Sequence, residues 1–83
     1  MAKYSIPYKL SDREAILLVK KAVSSKFGIL KDTGNVLKVG APMMTATIKI
    51  GNGVVEINGK LAGGIVASTC NSAIMTEFQL AEK

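Results

Sequence analysis

Apolar and polar residues alternate along two runs in the middle of the chain, "TATIKI" and "VVEING", which are separated by "GNG". Alternation with a period of two is typical of β-strands that bury one face. A two-residue type I′ loop at Asn52 and Gly53 puts the apolar residues of both strands on the same side. This register predicts a hairpin in which Lys49 lies opposite Glu56. We expect the two to form a cross-strand ion pair worth roughly 0.2–1 kcal/mol.

The same register, continued outward, predicts that Ala46 lies opposite Gly59 and that Met44 lies opposite Leu61. Another alternating run, "KYSIPYKL" at residues 3–10, predicts a further strand. Because Pro7 within this run has no backbone N–H, we expect the strand at an edge of the sheet or at a bulge.

The next segment begins with "SDRE", which has the form of a capping box. In such a box the Ser11 hydroxyl accepts a hydrogen bond from the backbone N–H of Glu14, and the Glu14 carboxylate accepts one from the backbone N–H of Ser11. Apolar residues then recur at helical spacing, which predicts a helix to about Phe27. Gly28 is placed to end this helix in a left-handed conformation.

Between this helix and the hairpin, "ILKDTGNVLKV" predicts two short strands joined by a turn at residues 32–35, with a break at residues 40–42. The last segment predicts a second helix, whose apolar face consists of Ala62, Ile65, Val66, Cys70, Ala73, Ile74 and Phe78. A sheet with one apolar face needs a cover, which two amphipathic helices supply. We therefore predict one α+β domain over residues 1–83. It is a two-layer sandwich with an antiparallel sheet of four to five strands in the order β-α-β-β-β-β-α and both helices on one face.

A resemblance to a known family covers nearly the whole chain. It is carried by four stretches and the closing helix that follows them: "IPYKLSDREA", "KFG", "GNVLKV" and "ATIKIGNGVVEINGKL". This pattern is similar to that of the small bacterial polyhydroxyalkanoic-acid-system proteins. The resemblance implies the same order of a turn into a helix, paired strands and a final helix. Ser11 and Ala62 stand where that family usually has glycine, and the closing helix has fewer charges. The resemblance supports the topology and brings no active-site motif.

Charge is concentrated in the middle of the chain, although the whole chain has a net charge of only +5. The only acid within residues 15–55 is Asp32, and the lysines there are Lys20, Lys21, Lys26, Lys31, Lys38 and Lys49. Such a segment can attract an anionic partner, or it can simply keep a small domain in solution. The longest uncharged run, residues 61–76, is too short to span a bilayer.

Catalytic and metal-binding patterns are missing from the sequence. The chain has no histidine and a single cysteine, Cys70, so it has no Ser-His-Asp or Cys-His arrangement and no Cys/His metal cluster. Cys70 falls on an apolar helical face, which favours a buried inert thiol. We therefore expect a protein that is not an enzyme and uses no metal or cofactor. The lone cysteine and the lack of a signal sequence favour a cytoplasmic location.

Two functional hypotheses remain. The first is a protein-interaction or self-assembly module, with a protein partner or a second copy as its ligand. Its candidate surface is the small-residue part of the last helix, formed by Gly63, Gly64, Ala67, Ser68 and Ser72. The alternative, which is the more usual role of such residues, is that they let the helix approach the protein's own sheet or first helix.

The second hypothesis is a binder of nucleic acid or another polyanion through an open, polar sheet face. The residues expected on this face are Lys38, Thr45, Thr47, Lys49, Asn58 and Lys60. A third idea is a ligand cavity lined by Met43, Met44 and Met75, for which core filling is the alternative.

Overall fold

The computed structural model describes residues 2–82, which form five strands and two helices. These are β1 (Ala2–Pro7), α1 (Asp12–Ser24), β2 (Ile29–Asp32), β3 (Val36–Ala41), β4 (Met44–Gly51), β5 (Val54–Gly59) and α2 (Gly63–Ala81). All neighbouring strands are antiparallel, in the spatial order β1-β5-β4-β3-β2. The predicted α+β fold and its element order are confirmed. Strand β1 lies at an edge, as the position of Pro7 predicts.

The hydrophobic core lies between the sheet and the two helices. Helix α2 packs across β1, β4 and β5, whereas α1 packs mainly against α2 and touches β4. The strand residues that face the helices and are buried are Ile6, Leu37, Val39, Ala46, Ile48, Ile50, Val55 and Ile57. Since side chains alternate along each strand, the residues between them lie on the opposite face, which no helix covers.

The β4–β5 hairpin has the predicted register. Ile48 lies opposite Ile57 and Lys49 lies opposite Glu56, while Asn52 and Gly53 form the loop. Both loop residues have a positive φ, of 55° and 80°, as a type I′ turn requires. The alternation of apolar residues, together with the Asn-Gly pair, was therefore sufficient to place this hairpin.

The register ends at Gly59, so the predicted pair of Met44 and Leu61 is wrong. A Cβ at Gly59 would lie 2.1 Å from the carbonyl oxygen of Gly63, because α2 begins directly above this end of the sheet. The chain must turn sharply after Gly59 to place the helix there. Leu61 takes up this turn with a φ of 54°, and its side chain is exposed.

Helix α1 begins as predicted and ends earlier than predicted. The Ser11 hydroxyl accepts from the backbone N–H of Glu14 at 3.1 Å, as predicted. The donor to the Glu14 carboxylate is this same hydroxyl and not the predicted backbone N–H of Ser11. The helix ends at Ser24, and Gly28 does not have a positive φ. The hydroxyls of Ser24 and Ser25 donate to backbone carbonyls one turn back, which competes with continuation of the helix.

Two further predictions need correction. The break predicted at residues 40–42 is limited to Pro42 and Met43, because Gly40 continues β3 with a φ of 117°. On α2, Ala62 and Ile65 are exposed and do not belong to the buried face. The buried face of α2 instead includes Gly63, which lies against the backbone of Thr45. The spacing of apolar residues does not identify Gly63 as part of this face.

Candidate functional site

The uncovered face of the sheet carries a straight row of polar residues, one from each strand. Lys3 lies opposite Asn58, which lies opposite Thr47, followed by Lys38 and Lys31. We call these five residues the lysine row. With neighbouring strands about 4.8 Å apart, the row extends about 19 Å across the sheet. Its three lysines are exposed, and it contains no acid.

Two like charges lie directly opposite each other at one end of this row. Lys31 on β2 pairs in register with Lys38 on β3, after a register shift that follows Ile29. Like charges in this position repel and reduce the stability of the sheet. An anion placed between the two ammonium groups would remove this repulsion.

A shallow depression of about 210 Å³ adjoins these two lysines. Its lining residues are Lys31, Thr33, Val36, Lys38 and Thr47. Hydroxyl and ammonium groups on the wall of a depression supply hydrogen-bond donors of the kind that bind phosphate. This depression is therefore the centre of the candidate site.

The next row of the same face is closer to neutral. Lys49 lies between Glu56 on β5 and Val36 on β3. The predicted ion pair between Lys49 and Glu56 is not formed. Within residues 2–82, the salt bridges join Lys20 to Asp32 and Lys21 to Glu77. Their opposite charges still balance locally, so the excess positive charge of the face is concentrated in the lysine row.

The structure brings most of the predicted polyanion-binding residues onto this face. Lys38, Thr47 and Asn58 lie in the lysine row, and Lys49 lies in the next row. Thr45 lies opposite Gly40 at the end of β4. Lys60 follows the last residue of β5, is exposed, and lies outside the paired register.

Two lysines of the row were missing from the sequence prediction. Lys3 alternates with the apolar residues of β1, so its face could have been deduced once β1 was placed beside β5. The face on which Lys31 lies could not have been deduced in this way, because the register shift after Ile29 changes the face to which the later residues of β2 point.

Other lysines of the basic segment are paired with acids on the helix side of the molecule. Lys20 contacts Asp32 at 2.9 Å, and Lys21 contacts Glu77 at 3.5 Å. The hydrogen bond from Lys20 lowers the pKa of Asp32, and the backbone N–H of Gly34 assists. These lysines connect α1 to β2 and α2, which leaves those on the sheet face for an external anion.

The small-residue part of α2 is used largely inside the protein. Gly63 lies against the carbonyl of Thr45, and Ala67 is buried next to Gly59. Gly64 is half-buried near Ala2, whereas Ser68 and Ser72 are exposed. Of the two partners left open by the sequence, the protein's own sheet is the one that Gly63 and Ala67 contact.

Cys70 is closed off from solvent, and Met43 and Met75 lie at different places on the surface and do not line one cavity together. Cys70 is fully buried, and burial raises the pKa of its thiol to about 11. Within residues 2–82, no group of three or more acids and cysteines is arranged to hold a metal ion. Met43 is exposed at the β3–β4 turn, while Met75 lines a different groove beside β1.

Tyr8 and Asp12 form a polar contact that the sequence did not reveal. The Tyr8 hydroxyl donates to the Asp12 carboxylate at 2.5 Å. This bond lowers the pKa of Asp12, with smaller contributions from the backbone N–H groups of Asn52 and Gly53. Burial, followed by the same hydrogen bond, raises the pKa of Tyr8. The contact joins the start of α1 to the tip of the β4–β5 hairpin, so its role is structural.

Comparison of the chain with protein-family models, with curated proteins and with solved structures finds no match. Neither α1 nor α2 has the length and apolar character that crossing a bilayer requires.

Proposed function

We propose that this protein is a non-catalytic interaction module that binds a polyanion on the uncovered face of its sheet. The observation that carries the proposal is the lysine row, above all the directly opposed Lys31 and Lys38 beside the depression. An arrangement that reduces the stability of the free protein is consistent with a ligand that compensates for it.

The chemistry of the face favours contact with phosphate or sulfate groups over reading of bases. The row offers three ammonium groups, one hydroxyl and one amide. No aromatic ring lies among the described residues of this face, so single-stranded nucleic acid has no stacking platform. Lysines that contact a charged backbone give binding that is independent of sequence and strongly dependent on salt.

The test is fluorescence anisotropy with labelled duplex DNA and labelled heparin at about 50 and 200 mM salt. If the three lysines of the row each contact one phosphate, affinity should fall by about 40-fold between these salt concentrations. Binding that is absent at the lower salt concentration would contradict the proposal.

Two double variants assign the binding to the face. K31Q/K38Q should weaken binding and reduce the slope of log affinity against log salt by about 2. The control, K9Q/K26Q, removes the same charge from lysines outside the row and should leave that slope nearly unchanged. An equal effect of both variants would mean that net charge alone attracts the polyanion.

A second candidate function is self-association through a groove between β1 and the end of α2. A cavity of about 410 Å³ lies between β1 and the end of α2, lined by Ile6, Pro7, Met75, Phe78, Gln79 and Glu82. Sedimentation velocity over a wide concentration range tests this candidate, with Met75→Asp as the variant that should abolish a dimer. A monomer at the highest concentration would exclude it.

A cytoplasmic location is part of the same proposal. The reduced, buried Cys70 and the lack of a second cysteine are compatible with a reducing compartment. Fractionation of cells that produce the protein would test the location directly.

A further inference from the structure

One end of the molecule carries three large apolar side chains in contact with solvent. Met43 is 90% exposed, Leu61 is 93% exposed, and Ile65 is 67% exposed. Single exposed apolar residues are common on protein surfaces, whereas several that lie at the same end of a molecule are informative. We call these three residues the apolar cap.

The topology brings the three residues of the apolar cap to the same end. Met43 lies in the β3–β4 turn, and Leu61 lies in the connection from β5 to α2. Gly63 touches the backbone of Thr45, which places these two segments directly against each other. Leu61 and Ile65 belong to one turn of chain, because the carbonyl of Leu61 accepts from Gly64 at 3.0 Å.

The backbone of Leu61 makes its exposure unusual. A φ of 54° is rare and unfavourable for a residue other than glycine, asparagine or aspartate. Leu61 thus combines an unfavourable backbone conformation with an unfavourable, solvent-exposed side chain. The turn itself is required by the fold, because α2 must start above Gly59. The fold does not require that the residue at this turn be a leucine.

Positive charge adjoins the apolar cap. Lys60 precedes Leu61 directly, and the lysine row crosses β4 at Thr47, about 10 Å along the strand from Met44. The cap itself contains no acid. Exposed apolar side chains bordered by lysines are complementary to an anionic lipid surface, which has phosphate groups outside and acyl chains beneath.

We propose that this end of the molecule docks onto an anionic lipid bilayer. Met43, Leu61 and Ile65 enter the interfacial layer, while Lys60 and the lysine row contact the lipid headgroups. This inference rests on the proposed function, and it names the polyanion as a membrane surface. A nucleic acid duplex would match the lysines but would offer no apolar region for the cap.

The experiment is co-flotation of the full chain with vesicles of phosphatidylcholine alone or with a quarter of phosphatidylglycerol. We expect binding to the anionic vesicles only, and release at high salt. M43S/L61S/I65S should reduce the vesicle-bound fraction by about tenfold or more, since the apolar contacts are lost. Its binding to heparin should stay within about twofold of the unmodified chain, because the lysine row is intact.

The matched control changes three exposed leucines elsewhere, L17S/L30S/L80S, and should bind vesicles as the unmodified chain does. A single variant, Leu61→Gly, separates binding from folding. It should raise the melting temperature, because glycine accepts the positive φ, and it should reduce vesicle binding.

Each outcome is decisive. Binding to heparin and duplex DNA without binding to anionic vesicles would overturn this inference and leave the proposed function intact. A chain that binds none of the three would contradict both. Equal vesicle binding by the unmodified chain and M43S/L61S/I65S would show that the apolar cap is not the docking surface.

Discussion

Gly63 lies so close to β4 that a methyl group on its Cα would be 2.0 Å from the carbonyl oxygen of Thr45. The obstacle is backbone, so no side chain can rotate to make room. The neighbouring Gly64 is different, since a Cβ there would meet only the methyl group of Ala2, at 3.5 Å. Adjacent glycines therefore have different roles, and only one of them sets the distance between helix and sheet.

This difference predicts opposite effects of the same substitution. Gly63→Ala should lower the free energy of unfolding by about 1–3 kcal/mol, because α2 must move away from the sheet. Gly64→Ala should leave it unchanged or raise it by up to about 1 kcal/mol, because alanine favours the helix. Urea denaturation measures both. Equal destabilisation by the two variants would mean that the helix does not pack this closely.

A second residue-scale feature, the hydrogen bond from Tyr8 to Asp12, makes stability depend on pH. The bond lowers the pKa of Asp12 in the folded protein. Its contribution to stability is therefore complete above the ordinary pKa of the carboxyl group. It is lost as the pH falls through the lowered value.

Tyr8→Phe should accordingly lower the melting temperature by a few degrees near neutral pH. The difference from the unmodified protein should begin to shrink below about pH 4, the ordinary pKa of an aspartate carboxyl, and should disappear as the pH falls through the lowered pKa of Asp12. Tyr4→Phe is the matched control, since within residues 2–82 the Tyr4 hydroxyl makes no hydrogen bond. Melting curves followed by circular dichroism give the comparison, and a difference that is constant with pH would argue against the role of Asp12.

At the scale of elements, sequence pattern predicted what depends on local rules. Hydrophobic alternation and the Asn-Gly pair fixed the register of the β4–β5 hairpin. The Ser11–Glu14 spacing placed the start of α1. Neighbouring residues decide both features, so no knowledge of the rest of the fold was needed.

The features that were missed depend on contacts between distant parts of the chain. Leu61 leaves the strand register because α2 lies over Gly59, a contact that no local pattern shows. Lys31 joins the lysine row only through the register shift in β2. The lysine row was therefore predicted in its middle, at Lys38, Thr47 and Asn58, and its two end residues, Lys3 and Lys31, were missed.

The turn of the β4–β5 hairpin offers an element-scale prediction. Gly53 has a φ of 80°, so Gly53→Ala should lower the free energy of unfolding by about 1 kcal/mol. Gly28→Ala is the control, because Gly28 lacks a positive φ and a Cβ there would find its nearest neighbour at 4.0 Å. We expect that variant to be as stable as the unmodified protein or slightly more so. Guanidinium denaturation measures the free energy of unfolding of both variants. An unchanged free energy of unfolding for Gly53→Ala would contradict the type I′ geometry.

At the scale of the whole molecule, the sheet has two open edges, β1 and β2. Each has a feature that limits pairing with another chain. Strand β1 carries Lys3 and Pro7, and β2 has only four residues and a register shift. Charges, proline, short length and irregularity are the usual means by which natural sheets avoid pairing at their edges.

Removing these features from β1 should produce association between chains. K3T/P7V would restore a backbone donor and remove a charge, and we expect concentration-dependent oligomers in sedimentation velocity. K9T, which removes a charge outside β1, is the control and should behave as the unmodified chain. Identical sedimentation of K3T/P7V and the unmodified chain would show that the edge is protected by something else.

The pairing of β1 with β5 also has a consequence for synthesis. The two strands lie about fifty residues apart along the chain, whereas β2 to β5 are joined in sequence by short turns. During translation, β1 is therefore synthesised well before its partner strand. The same Lys3 and Pro7 that limit pairing at the edge of the folded sheet also disfavour pairing of β1 with a neighbouring nascent chain during that interval.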